Sequence, residues 1–331
     1  MLRSIDLVLD AALDGWCTAV VARVEHCGKL IYERAMGATR DDETARRIYL
    51  DTRFDLASVG KLFIATLALD AVDQEKLSLD TPLSEIISEW RGNEHQPITL
   101  RMLLTHTAGL NSGADYRELL GTNIVEFALG RSLVAVPGEQ VIYSDLGFIA
   151  LGAILERVYE RSLPSLVRDF GRPTLGYSPR RQDRPWIPAT ECDAWRGRVQ
   201  GCVHDEKAYL MGGVAGHAGL FGTAADVAWL ARKYLQPSGL MIDAVTEQAW
   251  DPILRRGLGW ALKTRDDNSC GAAFSRESFG HTGFVGTCVW ADPRRDLIGV
   301  FLTNAVYYGR RDTRDLRVAF YDAIAAVADQ R

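Results

Sequence analysis

Ser58 and Lys61 stand three residues apart in "FDLASVGKLF" (54–63), at the start of a run whose apolar residues have helical spacing. No other serine in the chain has a lysine at that spacing. Residues three apart on a helix are neighbours, with Cβ atoms about 5–6 Å apart, so Lys61 can reach the Ser58 hydroxyl. A lysine desolvated there loses part of its preference for the charged form and can accept a proton, which makes a serine nucleophilic without a histidine. The same stretch also reads as a helix cap at Ser58 followed by a lysine that snorkels to solvent.

Two further stretches hold groups suited to the same chemistry. "YSDLGF" sets Tyr143, Ser144 and Asp145 ahead of an apolar helix, and "GHTGFVGT" sets His281, Thr282 and Gly283 on a strand. Taken singly, Tyr143 reads equally well as a packed aromatic, and Asp145 as a helix cap together with Ser144.

The elements that must position these groups follow from periodicity and turn residues. The pattern predicts a helix over 3–14, then two strands, "TAVVARV" and "KLIYERAMG", joined in a hairpin at Cys27 and Gly28. From Ser58 to about Leu77, apolar residues cover one wide helical face. Residues 78–211 read as mostly helical segments broken by Pro-, Gly- and Arg-rich loops. "TAADVAWLARKYL" follows, with Thr223 and Asp226 in capping-box spacing. Four strand-like stretches, "GLGWALK", "FSRESFGHTG", "FVGTCVWADP" and "DLIGVFLTNA", precede a last helix over about 312–328. The sheet therefore draws on both ends of the chain. The expected organisation is an α/β sheet domain of 1–77 plus 212–331, with a mostly helical domain of 78–211 inserted and the active site at their interface.

Composition limits the function classes. At 331 residues and 47% hydrophobic content, the chain can bury a large core. A net charge of −5 with no basic stripe argues against nucleic acid as a partner. The longest apolar stretches fall short of the roughly 20 residues that span a bilayer. Asp6, Asp10 and Asp14 interrupt the N-terminal apolar residues, which suits an amphipathic helix and predicts a protein that stays in the cytoplasm. Six cysteines without a CxxC pair predict reduced thiols.

In order, "SVGK", "YSD" and "HTG" resemble the three-part signature of the serine hydrolase superfamily of class C β-lactamases, DD-carboxypeptidases (penicillin-binding-protein-like) and related esterases. "LLTHTAGL" (103–110) and "AGLFGTAADVAWLA" (218–231) add to the likeness, and "VHDEKAYLMGGVAGHAGLF" is similar to a penicillin-binding-protein-like branch. A second "YLD" at Tyr49–Asp51 lies ahead of Ser58, in the wrong order. The resemblance implies an α/β (α+β) fold of the β-lactamase/transpeptidase type, an antiparallel sheet flanked by helices with the helical insertion, and no cofactor. Relatives of this kind are often periplasmic or extracellular. It implies that Ser58 forms an acyl-enzyme and that Lys61 and Tyr143 share the task of taking its proton. The backbone N–H groups of Ser58 and Phe284 would make the oxyanion hole, with Gly283 allowing close approach. His281 and Thr282 would line the strand edge and hold a substrate carboxylate or leaving group. Asp145 would bond Lys61 or the substrate amide.

The chain departs from that pattern twice. The commoner residue at 145 is Asn, which can donate; ionised Asp145 only accepts and would hold Lys61 as a cation. The third motif commonly begins with Lys, and here with His281. An unperturbed histidine titrates near pH 6.5, which predicts carboxylate anchoring that fades as pH rises through about 7. Both departures favour a DD-carboxypeptidase, amidase or esterase over an efficient β-lactamase. The alternative function is a catalytically impaired penicillin- or muropeptide-binding module. The partner is in either case a small molecule or short peptide, with no oligomeric state legible.

Four remaining signals read as structural. The glycine-rich "GGVAGHAGLFG" has no phosphate-loop ending and suits tight turns at the cleft. His204, Asp205, Glu206, His217 and His281 lack metal-site spacing, so no metal is expected. His106 reads as a hydrogen-bonded helix-end histidine, and Arg172, Arg180, Arg181 and Arg184 as a solvated loop that could meet acidic fragments.

Overall fold

The computed structural model of the chain describes residues 2–113, 115–250 and 255–331. Its elements run α1 (Arg3–Leu13), β1 (Ala19–His26), β2 (Lys29–Gly37), β3 (Phe54–Asp55), α2 (Lys61–Asp73), α3 (Leu100–Leu104), α4 (Ile124–Gly130), α5 (Asp145–Tyr159) and α6 (Leu163–Arg168). They continue with β4 (Gly176–Tyr177), β5 (Ala189–Asp193), β6 (Gly197–Gln200), α7 (Glu206–Leu210), β7 (Leu220–Gly222), α8 (Ala224–Leu235), α9 (Leu240–Ala244) and β8 (Ala249–Trp250). The last are β9 (Arg255–Arg256), β10 (Ala261–Leu262), β11 (Phe279–Thr282), β12 (Cys288–Asp292), β13 (Leu297–Thr303) and α10 (Arg314–Ala328).

Both ends of the chain build one antiparallel sheet of eight strands, in the order β2-β1-β13-β12-β11-β10-β9-β8. β13 is buried at every position because helices cover both faces of the sheet. Alternation along β1 shows the two cores: Val20, Ala22 and Val24 pack with α1 and α10, whereas Ala19 and Val21 face α8 and the helices behind it. Gly299 lets α10 lie close, since a Cβ there would sit 2.4 Å from Ile324 Cδ1. Among the described residues no helix is long and apolar enough to cross a membrane.

α2 is buried almost all round and not along one face only, because α5, α6 and α9 close over it and Thr66 Oγ1 lies 2.8 Å from the Tyr234 hydroxyl of α8. Thr223 and Asp226 form the expected capping box. The same buried Asp226 accepts from Arg172 Nε at 2.8 Å, so that arginine is a structural partner and not a free loop cation. Arg180 pairs with Asp183 at 2.9 Å. Residues 78–211 hold α3 to α7 and also the short β4 and the β5–β6 hairpin, whose few residues show no clean alternation in the sequence. All six cysteines are free thiols.

Candidate active site

Ser58 lies in one tight 3-10 turn, Ala57–Gly60, that runs directly into α2, so the helix predicted from Ser58 begins at Lys61. Ala57 sits in the left-handed region at φ 46°, a strained position for a residue with a Cβ. The buried Asp55 offsets this by accepting the Ala57 N–H at 2.8 Å and the His204 N–H at 2.7 Å. Burial raises the Asp55 pKa, and those two backbone N–H groups act against the rise.

Lys61 is fully buried, and its ammonium donates to Ser58 Oγ, Asp145 Oδ1 and the His217 carbonyl oxygen, each at 2.9 Å. Three donors meet three acceptors. Burial disfavours the Lys61 cation, but Asp145 and then Tyr143 outweigh it, and its pKa is raised above the ordinary lysine value. The expectation that desolvation turns Lys61 into a proton acceptor is thus corrected by a carboxylate 84 residues away in sequence. The lysine is also no snorkelling surface group.

The N-terminus of α5 and the segment leading into it bring Asp145 and Tyr143 to this point. Ser144 caps the helix, its Oγ accepting from Gly147 N at 2.9 Å and donating to the Asn111 carbonyl at 2.7 Å. Asp145, at the positive end of the helix, is disfavoured as an anion by burial; Lys61 and His217 more than reverse this and hold its carboxyl below the usual range. Tyr143 lies with its ring centroid 5.1 Å from Lys61 Nζ.

β11 supplies the opposite wall. A cavity of about 450 Å³ opens over the turn, lined by Ser58, Tyr143, Arg256, His281, Thr282 and Phe284. Gly283 N donates to Thr287 O at 2.7 Å, and a Cβ on Gly283 would fall 2.8 Å from the Leu56 carbonyl oxygen and 2.1 Å from Thr287 Oγ1. Only glycine lets the end of β11 press against the Ser58 turn. The geometry therefore gathers Ser58, Lys61, Tyr143, Asp145, His281, Thr282, Gly283 and Phe284 into one site.

His281 differs from its sequence reading. Its Nδ1 contacts the Thr282 carbonyl oxygen at 2.8 Å, which makes Nδ1 the protonated nitrogen and leaves Nε2 an acceptor. Burial first, then the charges of Arg256 and Lys61, push its pKa down to about 3. A neutral imidazole holds no carboxylate by charge, and the cations lining the cavity are Arg255 and Arg256.

Other groups at the site had only structural readings, or none, in the sequence, and His106 is the hydrogen-bonded helix-end histidine expected. His106 bonds the backbone on both sides of Tyr143, accepting Ile142 N–H at its carbonyl and Ser144 N–H at Nδ1. Asp205, Lys207 and His217, from the motif "VHDEKAYLMGGVAGHAGLF", lie behind Asp145. The motif was visible, but pairings made by the return of a glycine-rich loop have no periodicity to read.

The Beta-lactamase family matches residues 5–323. An Escherichia coli K12 protein named "Putative D-alanyl-D-alanine carboxypeptidase" is 29% identical over 334 residues, covering 83% of this chain and 76% of that protein. Among solved structures, "EstCE1, a hydrolase with promiscuous acyltransferase activity" superposes with a TM-score of 0.76 at 24% identity, covering 96% of this chain and 98% of that one. A β-lactamase from Mycobacterium bovis (Mb2281c) gives 0.64 at 25% identity, with 97% and 99% covered. The strand order, the helices on both sheet faces and the family match over nearly the full length agree: the chain belongs to the Beta-lactamase family, a superfamily of β-lactamase-fold hydrolases.

Proposed function

We propose that the chain is a serine hydrolase that works through an acyl-enzyme on an ester, an amide or a D-amino-acid peptide, with weak or no action on β-lactams. The observation that carries this reading is the buried Lys61 ammonium held on Ser58 Oγ at 2.9 Å. With its three N–H groups engaged, Lys61 acts as a fixed cation, and Tyr143 is the proton acceptor. Ser58 Oγ adds to the substrate carbonyl while its proton passes to the Tyr143 oxygen. The new oxyanion takes the backbone N–H groups of Ser58 and Phe284. Collapse breaks the bond to the leaving group, which carries away the proton from Tyr143. Water then repeats the sequence on the acyl-enzyme, releasing the acid and restoring the Ser58 hydroxyl.

The substrate class rests on two further features. Neutral His281 and acceptor-only Asp145 suit an uncharged group at those positions better than an anchored carboxylate. Likeness to the Escherichia coli protein, named for D-alanyl-D-alanine, supports a D-alanyl peptide, and likeness to EstCE1, a hydrolase with acyltransferase activity, supports acyl transfer and esters. Incubation with a fluorophosphonate, a penicillin and p-nitrophenyl esters, followed over time by mass spectrometry, tests the reading. We expect a fluorophosphonate adduct on Ser58 and turnover of the esters. A persistent acyl adduct with no product release would instead favour the binding module, and no adduct on Ser58 would overturn the assignment.

A further inference from the structure

Behind the site lies a closed ring of charges that acyl transfer does not by itself require. Lys207 Nζ stands 3.3 Å from Asp145 Oδ2 and 3.6 Å from Asp205 Oδ2, while the other oxygen of Asp145 holds Lys61. Asp205 Oδ1 accepts from His217 Nε2 at 2.7 Å and from Ala208 N at 2.9 Å. The ring closes because the carbonyl oxygen of His217 is the third acceptor of Lys61. The two ammonium groups and the two carboxylates balance one another in a largely buried volume, where an uncompensated charge is costly. Donor atoms of Asp145, Asp205 and His217 lie within 4.8 Å of one another, as a metal site would need. The Lys207 ammonium is already shared by both carboxylates, and a His217 nitrogen is hydrogen-bonded to Asp205, so the atoms a metal would need are already engaged.

The ring has a consequence for the reacting end. A lone Asp145 would spend its whole charge on Lys61, cancelling the cation that must favour the ionised base and the Ser58 alkoxide. Lys207 draws one carboxylate oxygen away. We infer that Lys207 is a positioning residue that divides the charge of Asp145, keeping the Lys61 ammonium aligned on Ser58 and net positive toward the bond being made. This rests on the acyl-transfer reading above.

The other charges facing these groups can be assigned. On its outer side Lys207 lines a cavity of about 440 Å³ whose other charged groups are themselves paired: Arg310 with Glu206 at 2.6 Å and Glu191 at 3.0 Å, Arg117 with Asp115 at 3.0 Å, and Asp193 with Arg196 at 2.7 Å. The reacting end faces Lys61 and Arg256, and the histidines there, His106 and His281, are both held neutral by burial. Lys207 and Asp145 are therefore a charge pair whose members can be removed one at a time.

The test is the pH dependence of ester hydrolysis and of fluorophosphonate labelling. Lys207→Met leaves the ring one charge more negative, which disfavours the ionised base, so the acidic limb of kcat/KM should move up by about 1 pH unit. Asp145→Asn leaves it one charge more positive, and the limb should move down. The double variant restores the parent's net charge and should return close to the parent, and Lys207→Arg should stay there. Shifts of opposite sign that cancel support the inference; a loss of packing would not produce them. Thermal melts confirm that each variant is folded. An unmoved limb in folded Lys207→Met, or shifts of the same sign in both single variants, overturns the inference while Ser58 labelling leaves the hydrolase reading standing. A parent chain that forms no Ser58 adduct overturns both.

Discussion

The imidazole of His106 lies with its centroid 4.5 Å from the ring of Tyr143, and its Nδ1 accepts the N–H of the next residue, Ser144, at 3.1 Å. The His106 carbonyl oxygen takes Ile142 N–H at 2.7 Å, so one residue holds the Tyr143 backbone from both sides and supports its ring. His106 itself sits at φ 60°, a conformation that Asn tolerates better than most side chains.

His106→Phe keeps an aromatic ring but leaves the Ser144 N–H without its acceptor, at a cost of about 1–3 kcal/mol in stability. Since Tyr143 is the proposed base, kcat should fall by roughly 10–100-fold while KM changes little, because a misplaced base affects the chemical step. His106→Asn offers an oxygen to the same N–H and should recover part of the loss. Equal kcat values for the Phe variant and the parent would remove His106 from the positioning of Tyr143.

Gly283→Ala places a methyl group against the Leu56 carbonyl and Thr287 Oγ1, which itself donates to that carbonyl at 3.0 Å. The end of β11 must then move away from the Ser58 turn, and the two backbone N–H groups proposed for the oxyanion separate. Loss of one such donor costs about 10²–10³ in kcat. We expect a loss of that order in a chain that still melts cooperatively, measured with a neutral p-nitrophenyl ester. Activity within a few-fold of the parent would place the oxyanion elsewhere.

Lys61→Met and Tyr143→Phe should each cause large losses, and the double variant little more than the worse single one. Groups that act as a unit on one proton transfer, the cation beside the acceptor, are strongly non-additive. Independent, multiplying losses in kcat would argue against a shared role.

How much of this was legible depended on the distance in sequence between partners. Ser58 with Lys61, and Thr223 with Asp226, are separated by a single helical turn, and their pairing follows from spacing alone. The antiparallel hairpin of β1 and β2 and the use of both chain ends in one sheet were equally readable from alternation and turns. The charge on Lys61 was not, because Asp145 sets it from another helix and Lys207 modifies Asp145 from a third. His281 was misread for a related reason: the sequence shows its type, whereas its neutrality comes from burial and from Arg256 and Lys61. Arg172 read as a loop cation until Asp226 was seen beneath it. Local spacing therefore located the chemistry, and long-range approach decided its protonation states.

The pH behaviour of His281 follows from its burial. In the unfolded chain a histidine takes up its proton near pH 6.5, whereas the folded site resists it down to about pH 3. The folded pKa is the lower of the two, so the unfolded state binds more protons in the interval between them. Stability is thus fully present above about pH 6.5 and is lost as pH falls toward 3. His106, also held well below its ordinary value by burial, adds to the same loss, so His281→Gln should flatten the decline between about pH 6.5 and 4.5 without abolishing it. Below that range the carboxylates of Asp145 and Asp205, whose pKa values are lowered in the folded chain, add a loss of their own. For function, His281 carries no charge to lose between pH 6 and 8. KM for a carboxylate-bearing D-alanyl peptide should therefore show no rise in that range beyond that of a neutral ester. Thermal melts against pH for the parent and His281→Gln, together with KM for the two substrates, make the check. A peptide-specific rise in KM that disappears in His281→Gln would mean that the imidazole is charged in the complex and anchors the carboxylate after all.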